Sequence, residues 1–135
     1  MCSDLCRMLT NETVIRTDLP EFDLTQPAIE DQIEEARPDI IIHAGAYTDV
    51  DGAERTPDLA MAMNRDETAR VARADARVGS YLIYVSTDYV FDGAATVSYS
   101  EENIPNLINA YEMSKRLGEM ASLVSGDDAL VVRTA

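Results

Sequence analysis

The chain has 135 residues, 46% of them hydrophobic, with 25 acidic against 11 basic residues and a net charge of −14. That length suits one domain with one core, and that apolar content excludes a globally disordered chain. The charge argues against nucleic acid as a partner, because phosphate contacts need a basic patch, and equally against an anionic membrane surface.

No apolar run approaches the ~20 residues that cross a bilayer, so no membrane span is expected. The start, Met1 to Arg7, lacks a basic region followed by an apolar stretch, and a cytoplasmic location is expected. Cys2 and Cys6 are spaced one helical turn apart and read as reduced helix residues; with the lone His43 far away in sequence, no metal site is expected. Scattered carboxylates with almost no lysine suggest the surface of a protein from a high-salt, halophilic cytoplasm, where screening removes most self-repulsion.

Along the chain, Thr13 to Thr17 reads as a short strand ending at Asp18. Pro27 to Ala36 reads as a helix capped by Thr25, with Glu30, Asp31, Glu34 and Glu35 facing water and Pro38 as its stop. Asp39 to Gly45 is an apolar strand of the kind expected when both faces of a sheet are covered. Pro57 to Val78 reads as one long helix with Leu59, Met63, Val71 and Val78 in the core, ended near Gly79. Tyr81 to Ser86 is the next buried strand. Residues 87–108 form a long loop with a turn at Asp92-Gly93, Tyr111 to about Val124 is a helix, and Ala129 to Arg133 is a last strand. Alternating strands and helices predict an α/β fold with a parallel sheet and right-handed crossovers. Ligands of such sheets bind beyond the carboxyl ends of the strands, where Ala44 to Thr48, Ser86 to Tyr89 and the Tyr111 helix converge.

Lys115 is the only lysine in the chain, and it follows Tyr111 by four residues, which places both side chains on one helix face. A cation beside a phenol favours the phenolate, so the pair is expected to ease proton release from a group that ordinarily titrates near 10. That is the arrangement of a general acid for a carbonyl oxygen.

Ser86-Thr87-Asp88-Tyr89-Val90-Phe91-Asp92-Gly93 resembles the signature of the dTDP-4-dehydrorhamnose reductase family, a branch of the extended short-chain dehydrogenase/reductases. Phe22 to Thr25, His43 to Asp51, and Asn109-Ala110-Tyr111 with Ser114-Lys115 are similar to further family segments in the same order. The resemblance implies a Rossmann-like sheet with helices on both faces. It implies that NADPH or NADH reduces the keto group of a nucleotide-sugar, dTDP-4-dehydro-6-deoxy-L-mannose, giving dTDP-L-rhamnose. Carried over, Thr87, Tyr111 and Lys115 would be catalytic. Asp23, Leu24, Ala46, Tyr47 and Thr48, together with Tyr111 and Lys115, would contact the cofactor, and Asp18 would reach the adenine ribose. Thr87 and Asp88 would contact the substrate. Pairing as a homodimer is also implied.

The chain departs from the family in two ways. None of its six glycines forms the Gly-x-x-Gly-x-x-Gly phosphate turn, and residues 1–9 are similar to the end of the helix that follows that turn. It also stops at Arg133-Thr134-Ala135, where family members continue into a smaller substrate lobe. Residues 1–135 are therefore expected to be a partial NAD(P)-binding domain, marginally folded and weak in cofactor binding as it stands. Alternatives are a non-catalytic subunit resembling the methionine adenosyltransferase regulatory subunit, another sugar-nucleotide epimerase or dehydratase, and an inactive fragment.

Overall fold

The computed structural model describes residues 2–17, 23, 26, 28–124 and 129–135. Its elements are α1 (Cys2–Met8), α2 (Ile29–Ala36), β1 (Ile40–His43), α3 (Val50–Arg55), α4 (Pro57–Met61), a π-helical turn (Ala62–Asp66), α5 (Glu67–Val78), β2 (Tyr81–Thr87), a 3-10 turn (Asp88–Val90), α6 (Ala110–Val124) and β3 (Ala129–Thr134). The strands are parallel in the order β1-β2-β3, with Ile40 opposite Tyr81 and Leu82 opposite Ala129. The parallel α/β expectation holds.

Side chains alternate between the two faces of each strand. On one face, Leu82 joins Ile29, Ile33, Val71, Ala72 and Ala74 in the core, and Tyr84 lies under α6. On the other, Ile40, Ile42, Tyr81, Leu130 and Val132 are between 37% and 56% exposed. The Rossmann-like expectation holds, and among the described residues this second face is the more exposed one. Both crossovers step across the sheet in the same direction, and connections of one hand then lay their helices on the same side.

Three further expectations change. Thr13 to Thr17 is irregular rather than a strand, with Val14 and Ile15 exposed; among the described residues no ladder pairs with it, and a strand without a neighbour has nowhere to send its hydrogen bonds. The long helix from Pro57 contains a π turn, and its phase puts Ala60 rather than Leu59 inside, against Ala53 and Tyr111. Glu30 and Glu34 do not simply face water: Glu30 takes Arg73 at 2.9 Å and Arg77 at 2.8 Å, and Glu34 takes Arg77 at 2.7 Å, tying α2 to α5. Pro38 does follow the end of α2, after Arg37 turns into the left-handed region at φ 45°. The proposed cap Thr25, with Asp18, Leu24 and Pro27, lies outside the described residues. The short helix α3 was not expected; Asp49 caps it by accepting from Gly52 N at 2.8 Å.

Candidate active site

The helix that carries Tyr111 and Lys115 is capped at its start by Asn109, with Glu112 reaching back to the residue before it. Asn109 Oδ1 accepts from Glu112 N at 2.9 Å, while the Glu112 carboxylate accepts from Ile108 N at 2.5 Å and from Asn109 Nδ2 at 2.7 Å. Glu54 of α3 accepts from Ala110 N at 2.6 Å, so further first-turn donors are satisfied from outside the helix. Tyr111 is thereby fixed in the first turn. Its ring packs on Ala53 and Ala60, and Tyr89 meets it edge-on at 6.3 Å.

One cavity of about 300 Å³ opens at the carboxyl ends of β1 and β2. Five of the expected residues line it: Ala46 and Thr48 from the segment after β1, Thr87 from the tip of β2, and Tyr111 and Lys115 from α6. Ala44, Ser86 and Thr134 complete much of the wall. Tyr47 does not line it; its hydroxyl lies over Gly52, where any Cβ would collide with it. Asp88 is exposed and opens the 3-10 turn. Asp23 is half-buried, receives Gln26 Nε2 at 3.3 Å, and is not part of the cavity wall. Leu24 lies outside the described residues.

Thr87 has two tasks. Its oxygen accepts from Tyr89 N at 3.2 Å, capping the turn, and its hydroxyl is near enough to Tyr111 to favour the phenolate. The Lys115 ammonium donates to Val85 O at 2.9 Å and sits 4.4 Å from the centre of the Tyr84 ring. Burial lowers its pKa to about 8, against the opposing pull of Glu119. The expectation that the cation draws the Tyr111 phenol down is not met. Burial pushes that phenol up, the nearby Thr87 hydroxyl only partly offsets it, and Tyr89 and Asp88 add to the rise. The ammonium is turned to Val85 O and to an aromatic face, and burial sets the direction of the Tyr111 shift.

Two buried polar residues that sequence reasoning left unassigned hold the site together. Asn64, in the π turn, accepts from Tyr47 N at 2.8 Å and donates to Tyr47 O at 3.1 Å and Ser114 Oγ at 2.8 Å. It thus clamps the segment after β1 to the residue before Lys115. Glu119, one turn beyond Lys115, is fully buried between Ser86, Arg116 and Arg133. Nothing in a single sequence marks a polar helix residue as buried. Among the described residues no group of three His, Cys, Asp or Glu side chains converges on a metal position, and no helix is long and apolar enough to cross a membrane.

A family model described as the RmlD substrate binding domain matches residues 1–135. The chain is 43% identical over 117 residues to a dTDP-4-dehydrorhamnose reductase of Sinorhizobium fredii, covering 86% of this chain and 40% of that protein. It is 38% identical over 118 residues to methionine adenosyltransferase 2 subunit beta of Bos taurus, covering 84% of this chain and 35% of that one. Among solved structures it is similar to the dTDP-4-dehydrorhamnose reductase of Bacillus anthracis in complex with NADP, with a TM-score of 0.93 and 36% identity over 97% of this chain and 48% of that chain. The chain thus spans less than half the length of these relatives.

Proposed function

This chain belongs to the RmlD substrate binding domain family, and from that membership we propose that it carries the catalytic centre of an NAD(P)H-dependent reductase acting on a nucleotide-linked keto-deoxysugar. The substrate is dTDP-4-dehydro-6-deoxy-L-mannose and the product dTDP-L-rhamnose. The observation that carries the reading is the convergence of Thr87, Tyr111 and Lys115 on one cavity at the carboxyl ends of parallel strands.

In this reading a bound dihydronicotinamide supplies the hydride to C4 of the sugar. Tyr111 gives its phenol proton to the C4 oxygen, and its raised pKa suits an acid that must be protonated when the substrate arrives. Thr87 donates a second hydrogen bond to that oxygen, and Asp88 reaches the sugar from the turn that follows. Lys115 holds the ribose hydroxyls and supports the phenolate as it forms. The residues present fit such a group: Ala44 and Ala46 keep the wall beside Lys115 free of bulk, while Thr48 and Lys115 offer polar contacts. A cavity of about 300 Å³ has room for the nicotinamide end rather than a whole dinucleotide.

The test is a chimera in which these residues replace the matching stretch of the Bacillus anthracis relative. NADPH oxidation on adding the keto-sugar is expected, falling by about 10²–10⁴ in Tyr111→Phe, the usual worth of a general acid. A chimera that folds and binds dinucleotide yet transfers no hydride would move the assignment to a binding role, in line with the similarity to the methionine adenosyltransferase subunit.

A further inference from the structure

A carboxylate buried without water costs several kcal/mol unless its oxygens are fully paired. Glu119 is 0% exposed, and its partners come from three elements. Ser86 Oγ of β2 donates at 2.6 Å, Arg133 of β3 donates from Nε and Nη2, both at 2.8 Å, and Arg116 of its own helix donates at 2.7 Å. Burial pushes the Glu119 carboxyl up, but the bonds from Arg133, Ser86 and Arg116 outweigh it and hold it below its ordinary value.

The positions of these partners matter more than their number. Ser86 immediately precedes Thr87, and Arg133 immediately precedes Thr134; Ser86, Thr87 and Thr134 all line the cavity. Glu119 itself lies one helical turn beyond Lys115 and two beyond Tyr111. Apolar packing at this point would hold the helix to the sheet but would tolerate sliding. A bidentate guanidinium–carboxylate pair with a hydroxyl on one oxygen fixes register as well.

We propose that Glu119 is the positioning residue of this site, pinning the helix that carries Tyr111 and Lys115 to the tips of the strands that carry Thr87 and Thr134. What the pinned residues do rests on the reductase reading; the pinning itself does not. A second consequence follows from charge. His43 of β1 and Tyr84 of β2 face Lys115 as neutral groups, Tyr111 shares its helix face as a neutral phenol, and Glu119 supplies the anionic field that favours the ammonium.

Because Lys115 is the only lysine, isotope-labelled lysine gives one side-chain NMR signal to titrate in the 135-residue chain. Thr87 and Tyr111 line the same cavity, and in Glu119→Gln their side-chain contact, read by cross-relaxation in the parent and the variant, is expected to weaken. The Lys115 midpoint is expected to fall by about one pH unit, with the circular dichroism spectrum kept. Arg116→Gln leaves both strand ties in place and is expected to keep the contact while moving the Lys115 midpoint upward. A folded Glu119→Gln chain that retains the parental Thr87–Tyr111 contact overturns the proposal. Should Glu119→Gln not fold, Ser86→Ala, which cuts only the tie to β2, decides in the same way: a weakened contact supports the pinning and an unchanged one refutes it. Neither readout involves cofactor or hydride transfer, so a failed reductase assay and a failed pinning are told apart.

Discussion

Asn64 grips the backbone of Tyr47 by both its N–H and its C=O, at 2.8 and 3.1 Å, from a helix seventeen residues away. The amide can do this because the π turn widens the helix at that point, and a third bond, to Ser114 Oγ at 2.8 Å, carries the clamp across to α6. Asn64→Leu keeps the branched shape of the side chain but leaves a part-buried N–H and C=O and a buried hydroxyl without that partner. A loss of about 2–4 kcal/mol is expected from the stranded groups, measured by urea denaturation. Asn64→Asp keeps the acceptor for Tyr47 N but loses both donors and buries an incompletely paired carboxylate, so it is expected to destabilise at least as much as Asn64→Leu at neutral pH.

Gly118 and Tyr84 make a second close approach. A Cβ at position 118 would collide with Asn64 O and with Tyr84 Oη. The first is backbone and cannot swing away, so Gly118→Ala is expected to destabilise by about 1–3 kcal/mol, although alanine favours a helix over glycine by about 1 kcal/mol. Tyr84 Oη is buried and makes no hydrogen bond of sound geometry; Thr68, the hydroxyl that influences it, spends its proton on Asn64 O at 2.7 Å. Tyr84→Phe is therefore expected to be neutral or slightly stabilising, since it deletes an unsatisfied polar atom. The pair of denaturation curves separates a steric contact from a polar one.

How far the fold could be read from the sequence follows from which forces are local. The boundaries of β2, α6 and β3 were legible because their signals sit within a few residues, as in the apolar run of Tyr81 to Val85. The Tyr111–Lys115 pair was legible for the same reason, Thr87 entered through the family resemblance, and the three share one cavity. The open sheet face was not, since an apolar strand looks the same whether one face or two are covered. Nor was the sign of the Tyr111 shift: local spacing suggested a charge effect, while the outcome depends on burial by Ala53 and Ala60 of other helices. Asn64 stayed undecided between a polar face residue and one that fixes a nearby strand, and Glu119 was missed, because the partners that decide their roles lie 14 to 50 residues away.

The state of Lys115 gives the reductase reading a pH signature. Burial pushes its pKa down to about 8, with Glu119 opposing, so the ammonium is present below that pH and lost as pH rises through it. In the chimera, kcat/KM for NADPH-dependent reduction is expected to decline above about pH 8. Lys115→Arg keeps a charge that does not titrate in this range, so it is expected to abolish that limb while lowering the rate, because a planar fork fits the compact ammonium site poorly. A Lys115→Arg profile with the parental alkaline limb would show that another group sets it.

His43 and Glu67 tilt stability in opposite directions over nearly the same pH range. His43 is buried against Thr68, with Nε2 3.0 Å from Oγ1, and burial with the nearby Lys115 charge lowers its pKa from 6.5 to about 4. Between those values the unfolded chain binds the proton and the native one does not, so this group's contribution is lost as pH falls from 6.5 toward 4. Burial raises Glu67 from 4.5 to about 7, with Arg70 opposing and Asp23 and Asp66 reinforcing. There the native state holds the proton and the unfolded one does not, so stability is lost as pH rises from 4.5 toward 7. Each shift corresponds to on the order of 3 kcal/mol at most, and the two offset in the shared window. The depressed carboxyls of Glu30, Asp92 and Glu119 titrate below it, and Lys115 above it. Melting temperature is therefore expected to be nearly flat from pH 4.5 to 6.5 in the parent. Glu67→Gln leaves only the histidine slope, so its melting temperature should climb with pH across that window, whereas His43→Asn should make it decline. Parallel profiles in all three proteins would mean that neither group keeps its shifted charge state in the native fold.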